Sequence, residues 1–135
     1  MDLDTLKPEL KKIAEKYGID MLVLFGSQVT GKTHPKSDVD IGYTSADNIE
    51  FSTKCKIMDE ISDFLKREDI ELVNLNSISP VMKNIIADEG VLLYERIVGM
   101  FILCKMDAFK IYVETKTLRD LRYQSLRNFI YGTSR

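Results

Sequence analysis

The chain has no tryptophan, one histidine and two cysteines among its 135 residues, and each scarcity removes a class of function. A lone His34 with two widely separated cysteines, Cys55 and Cys104, lacks the ligand spacing of a zinc site. Both cysteines sit in apolar periodic stretches and read as buried free thiols, which fits a reducing cytosol. Long hydrophobic runs are missing too. The best candidate, Ile97 to Met106, is interrupted by Gly99 and Lys105 and falls short of the roughly 20 apolar residues that span a bilayer. The early residues Asp2, Asp4 and Glu9 do not follow the basic-then-apolar layout of a signal peptide, so a cytoplasmic location is expected. The length suits one domain rather than several.

What is present is ordinary globular composition, 44% apolar and 30% charged, which argues against a disordered chain. The formal net charge of −2 hides a split. Met1 to Glu95 carries 11 basic and 18 acidic residues, net −7, whereas Arg96 to Arg135 carries 8 basic and 3 acidic, net +5. An acidic body with a basic tail points to a partner or a polyanion. Aromatic residues interleaved with the tail's charges are sparse, Tyr123 and Phe129 being the nearest, which argues against a nucleic-acid platform.

Hydrophobic spacing predicts the elements. Leu6, Leu10, Ile13, Ala14 and Tyr17 recur at helical intervals between a capping Asp4 and Gly18. Asp20 to Phe25 reads as a buried strand, and Asp38 to Tyr43 as a second one with alternating polarity. Between them lies a turn-rich connection, Gln28 to Ser37. A helix within Asn48 to Arg67, a strand Ile70 to Leu75, a helix opened by Ser79 and Pro80, and a strand Val91 to Tyr94 follow. From Arg96 onward the pattern is helical with a basic side. The expected class is α/β (α+β): a mixed sheet flanked by helices over residues 1–95, then a basic helical extension over 96–135 in the same domain.

Within this order one constellation carries chemistry. Gly26-Ser27 ends the first strand, and Asp38-Val-Asp40 opens the second ten residues later. Residues two apart in a strand share a face, so Asp38 and Asp40 project together. Two close carboxylates repel unless a proton or cation lies between them, and Mg²⁺ suits an all-oxygen donor set. Glu71, on the third strand, joins the same face if that strand lies beside the second; Asp69 is the fallback. Three carboxylates suit a two-metal site. A glycine after a strand lets backbone approach a phosphate, and a serine N–H and hydroxyl can donate to it. Lys32, His34 and Lys36 in the connection read first as solvated loop residues.

Phe25-Gly-Ser27, ten residues, then Ser37-Asp-Val-Asp-Ile41 resembles the G-S-x10-D-x-D signature of nucleotidyltransferases of the DNA polymerase β superfamily. The compact size and Ile70-Glu-Leu-Val-Asn-Leu75 resemble its minimal prokaryotic branch, the MNT antitoxins. The likeness runs through roughly the first hundred residues. It implies an antitoxin that transfers AMP from ATP to a tyrosine hydroxyl of a HEPN-domain toxin ribonuclease, releasing pyrophosphate. It also implies roles. Gly26 and Ser27 would hold the triphosphate, with Ser37 on the nucleotide side orienting the Asp38 strand. Asp38 and Asp40 would coordinate Mg²⁺, and Glu71 would complete the metal site and take the acceptor's proton. The family usually has Asp where this chain has Glu71, and Asn74 stands where a second acidic residue is common. Alternatives are a catalytically weak antitoxin that acts by occlusion and a nucleotidyltransferase acting on a small molecule such as an aminoglycoside. The latter wants a dedicated substrate domain for which the chain is short.

Overall fold

The computed structural model describes residues 3–26 and 38–132. Helix α1 (Leu3–Tyr17) is followed by strands β1 (Ile19–Phe25) and β2 (Val39–Ser45). Next come α2 (Phe51–Leu65), β3 (Ile70–Asn74), α3 (Pro80–Glu89) and β4 (Val91–Glu95). Two further helices, α4 (Met100–Glu114) and α5 (Lys116–Tyr131), complete the described chain.

The strands form one mixed sheet in the order β3-β2-β1-β4. β1 pairs antiparallel with β2 and β4, whereas β2 and β3 run parallel. The parallel pair needs a crossover, and α2 supplies it. Alternation along the strands sends side chains to two cores. On one face Leu22, Leu24, Ile41 and Leu72 pack with Leu10 and Ile13 of α1 and Ile57 and Ile61 of α2. On the other, Met21, Val23 and Phe25 pack with Ile86 of α3 and Phe101 of α4. Asp40, opposite Phe25, belongs to this second face.

Most predicted boundaries hold within a few residues, for local reasons. Ser79 caps α3 by accepting a hydrogen bond from the Met82 N–H at 3.2 Å, and Pro80 occupies the first turn. The basic segment differs: it is two helices, not one. The Thr115 hydroxyl donates to the Ile111 carbonyl at 2.7 Å, and the chain restarts as α5 at Lys116. The thiols differ as well. Cys55 and Cys104 are free but only partly buried.

Helix α4 is apolar on two sides. Phe101 and Ala108 are buried, whereas Ile102, Met106, Phe109 and Val113 are all more than half exposed. The latter four recur at intervals of four, three and four, the spacing of a helix–helix seam. The Glu95 carboxylate at the end of β4 accepts from the N–H groups of Gly99 (3.2 Å) and Phe101 (2.9 Å), anchoring the start of this helix. Helix α5 buries no residue at all.

Candidate active site

The ladder registers bring the predicted residues together. Phe25, the last residue of β1, lies opposite Asp40, and Asp40 lies opposite Glu71. The Gly26 turn, Asp40 and Glu71 therefore line up across three adjacent strands, about 5 Å apart at each step. The expectation that β3 would lie beside β2 holds, and its parallel register puts Glu71 on Asp40's face.

At Gly26 the backbone has φ +81°, the left-handed region that favours glycine. A Cβ built there would collide with the Asp40 carboxylate. Two independent constraints thus disfavour a side chain at the turn. The carboxylate occupies the space a side chain would need.

Asp40 is half-buried, whereas Asp38 and Glu71 are exposed. Burial pushes the Asp40 carboxyl above its ordinary value. The negative charges of Glu71 and Asp38, and a hydrogen bond with Glu71, push it the same way. No Lys or Arg among the described residues forms a salt bridge with Asp38, Asp40 or Glu71. Arg67, paired with Asp69, also lies close enough to Asp38 to feel its charge.

Asp69 has a different task. Arg67 donates from Nε to its Oδ1 at 2.9 Å and from Nη2 to its Oδ2 at 2.6 Å, which holds the Asp69 carboxyl below its ordinary value. The Asp69 carbonyl accepts from the Val39 N–H at 2.8 Å, so this segment fastens the start of β3 to the start of β2, beside Asp38. The fallback carboxylate is a structural one. Sequence reasoning did not single out Arg67, whose only signal is its position two residues before Asp69.

Among the described residues, no three Asp, Glu, His or Cys side chains are drawn close enough to hold a metal ion. Asp40 and Glu71 are near each other, and the exposed Asp38 is close enough for its charge to act on Asp40. The donor chemistry still fits a hard cation: carboxylate oxygens on one face of the sheet. Ser27 and Ser37, with Lys32, His34 and Lys36, lie outside the described residues.

A second feature was not legible in the sequence. A cleft of about 500 Å³ wraps the outer edge of β3, lined by Glu71 and Asn74 of that strand, Phe51 and Lys54 of α2, and Ser77. Phe51 is 81% exposed. An aromatic at a helix start gives no hint in sequence of whether it faces inward or outward.

The family model described as Polymerase beta, Nucleotidyltransferase matches residues 8–97. The protein adenylyltransferase MntA of Shewanella oneidensis is 29% identical over 72 residues. That match covers 53% of this chain and 51% of the relative, so the chain spans about half the length of the curated relative it matches. Among solved structures, a chain from the crystal structure of a toxin-antitoxin with AMP-PNP superposes with a TM-score of 0.74 at 21% identity, covering 90% of this chain and 98% of that one. A chain from the complex of tri-AMPylated Shewanella oneidensis HEPN toxin with MNT antitoxin gives 0.70 at 18% identity, covering 93% and 99%. At such identities these structures share the fold with this chain.

Proposed function

Because the chain belongs to the polymerase β nucleotidyltransferase family, we propose that it transfers AMP from ATP to a tyrosine hydroxyl of a HEPN-domain toxin and thereby silences the toxin. The observation that carries this reading is the alignment of the Gly26 turn, Asp40 and Glu71 across three strands. In the reaction the tyrosine oxygen attacks the α-phosphorus, a new P–O bond forms, and the bond to the leaving pyrophosphate breaks. The hydroxyl proton passes to Glu71. Gly26 lets backbone approach the triphosphate, and Ser27 and Ser37 are assigned to nucleotide binding with it. Asp38, Asp40 and Glu71 are the residues that would hold Mg²⁺. When bound, the ion supplies positive charge for the phosphate oxygens and the leaving group.

The outer helices fit the partner in this reading. The exposed stripe Ile102, Met106, Phe109 and Val113, on a segment of net charge +5, suits an apolar helix with acidic flanks on the toxin. Such docking also supports a second reading, in which the chain neutralises its toxin by occlusion alone. Labelled ATP, Mg²⁺ and the product of the neighbouring gene separate the two. Label on a toxin tyrosine, lost in Asp38→Asn with Asp40→Asn, supports transfer. Full neutralisation by that same double variant, with no label from wild type, supports occlusion.

A further inference from the structure

Two clefts of the described fold, each of about 500 Å³, adjoin the sheet. The cleft between α1 and β4, about 540 Å³, lies across β1 from the carboxylates, and its Arg96 is already paired with Asp20 at 2.7 Å. The cleft at the outer edge of β3 is different, because Glu71 forms its near end.

We propose that this second cleft, with Phe51, Lys54, Asn74 and Ser77 along it, seats the extended polypeptide segment that presents the acceptor hydroxyl to Glu71. The proposal rests on the AMP-transfer reading and adds the acceptor's seat to it. Position is the first reason. Across the sheet the order is Gly26, Asp40, Glu71, then the cleft. In an in-line displacement at phosphorus the entering oxygen and the leaving group stand on opposite sides. With the triphosphate at the Gly26 end, pyrophosphate leaves on the β1 side and the acceptor enters past β3.

Size and chemistry agree with an extended chain. From Glu71 to Asn74 the strand covers about 10 Å, room for a few residues lying alongside it. Phe51 offers an exposed ring, flanked by the half-buried Ile49 and Ile78, for an apolar or aromatic residue of the segment. Lys54 is the cleft's cation and favours an acidic residue near the acceptor tyrosine.

The test uses the full chain with a HEPN-domain protein that it binds as the acceptor. Phe51→Ala and Lys54→Glu are each expected to raise the KM for the acceptor protein about tenfold, leaving the KM for ATP and the melting temperature unchanged. A benzoylphenylalanine in place of Phe51 is expected, on illumination, to cross-link to the HEPN protein close to the AMP-labelled tyrosine. Labelling that persists with an unmoved acceptor KM in both variants overturns the cleft assignment alone. A raised KM for ATP only, or cross-linking to the nucleotide, overturns it in favour of a seat for the base. A wild-type chain that labels no protein overturns the transfer reading itself.

Discussion

The sheet and the C-terminal helices are built to opposite specifications. The sheet is closed within the chain: both faces are covered, and Leu22, Val23, Ile57 and Ile61 are fully buried. Its candidate reactive groups, the carboxylates, gather at one end. Helices α4 and α5 are open, with apolar side chains on the outside of one and nothing buried on the other. A short helix with no buried face is marginal in water by itself. The difference separates two tasks. The sheet holds chemical groups in a fixed register, while the helices present area to something else.

The comparison breaks or sharpens under four experiments. The largest effect is expected at the carboxylates. Asp38→Asn with Asp40→Asn should lower AMP transfer about a thousandfold or more, measured with labelled ATP, while circular dichroism stays native. Next, Ile61→Ala in the closed region should cost about 2–5 kcal/mol in urea unfolding, whereas Leu121→Ala on α5 should stay within about 0.5 kcal/mol. Equal losses at the two positions would erase the distinction. Third, Met106→Glu with Phe109→Glu should weaken binding to the HEPN partner about a hundredfold by calorimetry, with the fold unmoved.

The smallest effect concerns pH. Asp40 holds its proton more tightly in the folded state than in the unfolded chain, whose reference value is 3.8. Its favourable contribution is complete below that value and is lost as pH rises through the raised one. At neutral pH, without divalent cations, Asp40→Asn should therefore melt a few degrees above wild type, and the gap should close in acid. Added Mg²⁺ should raise the wild-type melting temperature and leave the variant unchanged.

Much of this organisation was legible beforehand. Strand and helix positions followed from hydrophobic spacing, and the Asp38-x-Asp40 pair from period-two alternation. The place of Glu71 was legible only conditionally, because spacing in one strand says nothing about which strand lies beside it. The register of β2 with β3 supplied that. The break at Thr115 escaped because apolar residues continue through it, and a hydroxyl turning back to the Ile111 carbonyl leaves no mark on the pattern. The Phe51 cleft escaped for a related reason. Exposure is a property of packing, and an aromatic at a helix start reads the same either way.

The collision between a side chain at Gly26 and the carboxylate of Asp40 has a consequence for reading other sequences. A side chain at the turn would have to be matched by a move of the Asp40 carboxylate, whose far end is what it would meet. A bulky residue at the turn of a relative is therefore expected to come with a shifted aspartate.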